Sequence, residues 1–149
     1  MRPVSELMSS LLSLGPGSRA LLFFRRKEWI DEVRTCLSQE LNVSFVCEEP
    51  GEGLLLGRPE GFFASEQSLH FVWLMGFDFS SHEAGSVLKR VYEGLKTNGR
   101  ILIHESSEGR GIGFWHPLMK ETGFETPIHR ELQHEAFGAG NEYLSVRRG

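Results

Sequence analysis

Two hydrophobic rhythms alternate along this chain. Val4, Leu7, Met8, Leu11 and Leu12 recur every three or four positions, which makes one face of a helix apolar. Pro3 suits the first turn of that helix, and Gly15-Pro16-Gly17 stops it. Ala20 to Phe24 is an unbroken apolar run of strand length, the pattern of a strand buried on both faces. Trp29, Ile30, Val33, Leu37 and Leu41 predict a second amphipathic helix, which Asn42 breaks before a short strand over Val43 to Cys47. From 48 to 68, Gly51, Gly53, Gly57, Pro59 and Gly61 preclude a good helix, and Leu54-Leu55-Leu56 offers only a brief strand.

Regularity returns with Leu69 to Met75, the pattern of a central strand. Ser80 with Glu83 three residues later is a capping-box signature. Ala84, Val87, Leu88, Val91, Tyr92 and Leu95 then form one continuous helical face, and Asn98-Gly99 supplies its stop signal. Arg100 to Glu105 reads as the next strand. A glycine-rich connection leads to a short helix over Phe114 to Thr122, closed by Gly123. Phe124 to Leu132 and Glu142 to Arg148 read as two strands joined by a turn-like Phe137-Gly138-Ala139-Gly140-Asn141, an antiparallel pair at a sheet edge. The alternation predicts crossover units: a three-layer α/β fold with a mostly parallel sheet and an antiparallel C-terminal edge.

Length and charge narrow the picture. A chain of 149 residues suits one domain over 1–149. At this size ~68–70% of the unfolded surface is buried, so no disulfide or metal staple is required. Sixteen Lys+Arg against twenty Asp+Glu give a net charge of −4, which argues against a nucleic-acid groove. Cys36 and Cys47 are too few for a disulfide framework or a four-cysteine metal site. No apolar run is long enough to span a membrane, and the N-terminus lacks a secretory pattern. A soluble cytoplasmic domain is the expectation.

The run ending in Met75-Gly76, the capped helix, and Leu95-Lys96-Thr97-Asn98-Gly99-Arg100-Ile101-Leu102-Ile103-His104-Glu105 together resemble the second half of class I S-adenosylmethionine methyltransferases. Thr97-Asn98 stands where that family has Pro-Gly. Leu118-Met119-Lys120-Glu121-Thr122-Gly123-Phe124 is similar to the family's entry to its final hairpin. The first half departs from the pattern. Where active members carry a glycine loop after the first strand, this chain has Arg25-Arg26-Lys27-Glu28-Trp29, and Gly15-Pro16-Gly17 lies at the wrong end of the strand. Glu48 or Glu49 imitates the acid that holds the cofactor ribose, or simply ends a strand. A degenerate domain of this kind is similar to the N-terminal domains of the anamorsin family. That resemblance implies a catalytically inactive, cofactor-free role in cytosolic iron–sulfur cluster assembly, with protein partners such as a diflavin reductase and assembly factors. The family's cluster-binding cysteine motifs lie in a separate region, so any redox role would come from a partner or from sequence outside these residues. The alternative implied by the wider family is an active methyltransferase that binds S-adenosylmethionine. Its rim would be Met75, Gly76, Asp78, His104 and Glu105.

Several residue groups carry a chemical reading beside a plain one. Gly109-Arg110-Gly111-Ile112-Gly113, between a strand and a helix, is either a phosphate cradle or a flexible loop. His70, His82, His104, His116, His129 and His134 show no metal-ligand spacing on one helix and read as ordinary polar histidines. His104 with Glu105 is either a general base with its orienting acid or a polar strand end, and Asp78 joins the same rim. Arg25, Arg26 and Lys27 form a solvated helix start or a patch for an acidic partner. Phe62 and Phe63, adjacent aromatics in an irregular loop, either plug the core or anchor a protein partner.

Overall fold

Strand β1 (Arg19–Phe24) lies inside a seven-stranded sheet, and its apolar run from Ala20 to Phe24 is buried throughout. The computed structural model describes residues 14–15, 17–34, 42–61, 67–134 and 138–149. After β1 come α1 (Glu28–Arg34), β2 (Asn42–Cys47), β3 (Leu55–Leu56), a single 3₁₀ turn (Pro59–Gly61) and β4 (Leu69–Met75). The second half runs α2 (Ser81–Gly94), β5 (Leu95–Ser106), α3 (Ile112–Thr122), β6 (Ile128–His134) and β7 (Gly138–Val146). The strand order is β3-β2-β1-β4-β5-β7-β6. β1 runs parallel to both β2 and β4, and β4 runs parallel to β5. Among the described residues, only the β5–β7 and β7–β6 strand pairs are antiparallel. The expected mostly parallel sheet with an antiparallel C-terminal edge is the observed one.

Alternation along the strands divides the core in two. Leu21, Phe23, Val72, Leu74, Ile101 and Ile103 face α2 and α3, where Val87, Leu88, Trp115 and Met119 meet them. Leu22, Phe24, Phe71, Trp73, Met75 and Leu102 face the opposite way, where Ile30 and Val33 of α1 cover them. Helices on both faces of the sheet make three layers. Helix α2 starts as its sequence predicts: the Ser80 side chain accepts from the Glu83 N–H, and Glu83 accepts from the Ser80 N–H. Those bonds hold the Glu83 carboxyl below the usual carboxylate range.

Three boundaries depart from expectation. Helix α2 ends at Gly94 rather than at Asn98-Gly99, and Leu95 leaves it extended, with φ −80° and ψ 142°. Long-range bonds take over there: the Arg147 guanidinium donates to the Tyr92 and Leu95 carbonyls, and the Asn98 N–H donates to Arg147 O. The segment 95–99 is thereby drawn into β5, with Asn98 left-handed at φ 68°. At the other end, Gly138 to Asn141 belongs to β7 and is not a turn. Gly140 makes this possible, because a Cβ there would lie 2.3 Å from the Glu105 backbone oxygen. Phe124 makes only an isolated bridge to Arg147, and β6 begins at Ile128. The helix read over Val4 to Leu12, the Leu37–Leu41 end of the second helix, Cys36, Phe62, Phe63 and Phe137 lie outside the described residues.

His70 ties β4 to the start of β1, its Nδ1 accepting the Arg19 N–H at 3.0 Å. Burial, helped by the charges of Lys96 and Arg19, holds its pKa below the usual histidine value. A folded-state pKa depressed in this way contributes stability above the unfolded histidine range and loses it as pH falls through that range, about 6.5 and below. Urea unfolding midpoints between pH 7.5 and 5.5 should therefore fall more steeply for the wild type than for His70→Ala. Parallel slopes would sink this assignment.

Candidate functional site

Because Phe24 pairs with Cys47 and Met75, and Met75 with His104, the carboxyl ends of four strands lie level. The chain leaves β1 toward β2 on one side and later returns to β4 on the other. The switch point of the sheet is therefore the gap between β1 and β4, where open α/β sheets bind ligands. A cleft of about 490 Å³ opens along this rim toward β5. Arg25 from the loop after β1, Gly76 and Asp78 from the loop after β4, and Glu105, Glu108 and Arg110 around the end of β5 line it. Arg110 braces one wall: its guanidinium donates to Phe79 O at 2.8 Å, lies 4.8 Å from the Phe114 ring centre and stands 3.9 Å from Asp78.

Glu105 explains the glycine-rich loop. Its side chain is nearly fully buried, and its carboxylate accepts the Trp115 Nε1–H at 2.7 Å and the Gly111 N–H at 3.2 Å. Gly111 is the N-cap of α3, with φ 84°, so the carboxylate sits at the positive end of that helix. Gly109 packs directly on it: a Cβ at Gly109 would fall 2.0 Å from Glu105 Oε2. The Gly-x-Gly-x-Gly run does build an anion cradle, and the chain's own carboxylate fills it. Burial and the Glu105 charge push the neighbouring Tyr143 hydroxyl well above the usual tyrosine range.

The sequence pairing of His104 with Glu105 is not realised as an acid–base couple. Successive strand residues point to opposite faces, so Glu105 joins the Trp115 side and His104 the Leu102 side. His104 is buried opposite the equally buried Glu142 in the β5–β7 ladder, and it does not line the cleft. Met75 is fully buried in the core under α1 and also stays out of the cleft. Among the described residues, no three His, Cys, Asp or Glu side chains gather closely enough to hold a metal ion. Cys47 is buried at the end of β2, which raises its thiol pKa and keeps it protonated. No helix among the described residues is long and apolar enough to cross a membrane.

Residues 25–29 form the other half of the rim. The Arg25 N–H donates to Met75 O at 3.3 Å, carrying the β1–β4 ladder one residue past the strand end. The Lys27 N–H donates to Glu49 Oε1 at 3.0 Å, which spends the acid read as a ribose ligand on the chain's own backbone. Glu48, the other candidate, forms an ion pair with Arg58. Arg26 pairs with Glu28 at 3.2 Å, and its guanidinium carbon lies 5.9 Å from the Trp29 ring centre. Trp29 escaped the sequence reading because it fits the apolar face of α1. The available signal was a bulky aromatic in the first turn after a strand that should open into glycine.

No protein-family profile matches the chain, and comparison with curated protein sequences finds no match. Solved structures do share its fold. A putative methyltransferase of Haloferax volcanii, solved with a methyltransferase activator, aligns over 97% of this chain and 88% of its own, with TM-score 0.75 at 9% identity. A Methanosarcina mazei S-adenosylmethionine-dependent methyltransferase aligns over 97% and 98%, with TM-score 0.68 and 9% identity. Phosphoethanolamine N-methyltransferase 2 of Haemonchus contortus, solved with S-adenosyl-L-methionine, reaches TM-score 0.67 at 12% identity, over 97% of this chain and 53% of its own. The chain thus spans only between half and two thirds of some of the proteins it matches. Its fold is that of class I methyltransferases, and at these identities the likeness concerns the fold alone.

Proposed function

We propose that this chain is a methyltransferase-fold domain that binds protein partners and does not transfer methyl groups. The observation that carries this reading is the loop after β1. Arg25, Arg26 and Lys27 stand where a cofactor-binding loop needs glycine, and the Arg25 backbone is bonded across to β4. Glu49 is held by Lys27 in the same loop. These residues do not fit S-adenosylmethionine bound in the manner of the fold's enzymes. The anamorsin resemblance supplies a setting for the proposal: an accessory domain in cytosolic iron–sulfur assembly, with a diflavin reductase and assembly factors as partners. The exposed Arg25-Arg26-Lys27 rim is the docking face, and Phe62 with Phe63 is the second candidate.

The cleft of about 490 Å³ beside the rim favours one competing reading, an active enzyme using Gly76, Asp78 and Glu105. Titration calorimetry with S-adenosylmethionine separates the two. No saturable heat is expected up to millimolar cofactor. Low-micromolar binding would transfer the assignment to an active methyltransferase.

A further inference from the structure

The gap between β1 and β4 is occupied by a specific side chain. Gly76 follows β4 with φ 77°, and a Cβ built there would lie 2.8 Å from Trp29 Cζ3 and 3.0 Å from Trp29 Cη2. The next nearest atom is the Arg25 Cβ, at 4.0 Å. The Cζ3–Cη2 edge of the indole therefore abuts the bare backbone of the switch point, in the space that an alanine would already fill. Arg26 covers its ring, and the core residues Phe24, Trp73 and Met75 belong to the cluster beneath it. Two backbone bonds, Arg25 N–H to Met75 O and Lys27 N–H to Glu49 Oε1, latch the loop that delivers it. Glycine at 76 thus serves an internal ligand.

We propose that the switch-point crevice is a site for a flat bicyclic aromatic ring, and that the chain fills it permanently with its own Trp29. The inference rests on the reading that this domain does not take S-adenosylmethionine, and it adds what occupies the gap between β1 and β4. A half-buried indole packed on bare backbone has a direct test by chemical complementation. Trp29→Gly removes the ring and leaves a slot of its shape between Gly76, Arg25 and Arg26. Its melting temperature should fall by about 5 °C or more. Millimolar free indole should then raise the melting temperature of Trp29→Gly by several degrees and leave the wild type unmoved. Gly76→Ala should also cost less in the Trp29→Gly background than in the wild type, because the atom it collides with is gone.

A Trp29→Gly protein that melts like the wild type, or that indole fails to stabilise, would overturn the inference. If the glycine variant does not fold, Trp29→Phe decides the matter. The emission it loses relative to the wild type is that of Trp29, and acrylamide must quench this less than it quenches free indole. Freely quenched Trp29 emission would equally overturn the proposal. The calorimetric titration of wild type with S-adenosylmethionine reads the other question. Binding there would remove the reading that the domain takes no S-adenosylmethionine, whereas a failed indole rescue alone would remove only Trp29 as the occupant of the gap.

Discussion

Glu105→Ala should lower the free energy of unfolding by about 3 kcal/mol, one of the two largest losses expected from a single change at the rim. The carboxylate is nearly fully buried and receives the Trp115 Nε1–H and the Gly111 N–H. Removing it leaves the buried Trp115 donor and the half-buried Gly111 donor without this acceptor and strips the start of α3 of the negative charge at its positive end. Gly109, which packs on the carboxylate, would lose that contact. Urea midpoints of Glu105→Ala, Trp115→Phe and the double variant give the coupling. Trp115→Phe deletes one of the same donors, so the two losses should not add. A loss under about 1 kcal/mol for Glu105→Ala would show that Trp115 and Gly111 are satisfied without it.

Gly140→Ala should be comparably damaging, at about 3 kcal/mol, for a steric reason. The added methyl would sit 2.3 Å from the Glu105 carbonyl oxygen and 2.9 Å from His104 Nε2. A side chain could rotate away, but the first of these obstacles is backbone within the β5–β7 ladder, where Gly140 stands opposite Ser106. Relief therefore requires parting two strands that hold the end of β5 and the mouth of the cleft. Thermal melting of the variant should show a fall of several degrees. A melting temperature close to that of the wild type would mean that the strands do not approach this closely in solution.

Much of the fold is legible in the sequence. The runs at Ala20–Phe24 and Leu69–Met75 are each long enough for one strand and apolar on both faces, so burial under two helical layers was the solution available to them. The capping box at Ser80 and Glu83 is a contact between residues three apart, and local rules suffice for it. The rim was less legible. Met75, Gly76, Asp78, His104 and Glu105 all lie at strand ends, as their positions implied, yet only Gly76, Asp78 and Glu105 line the cleft. Pleating decides the difference for His104 and Glu105, and it divides adjacent residues between opposite faces.

Sequence by itself determined the alternation of elements, the parallel sheet with its antiparallel edge, and the lack of glycine after β1. Each depends on periodicity or on residue type within a few positions, and both can be read along one dimension. Tertiary structure alone decided that Trp29 lies on Gly76, that Glu105 fills the glycine cradle, that Arg147 draws 95–99 out of the helix, and that Gly138 to Asn141 is strand. These outcomes depend on which groups the sheet order brings together. An indole, a carboxylate or a guanidinium settles where partners from distant parts of the chain satisfy it, and local spacing carries no record of those partners.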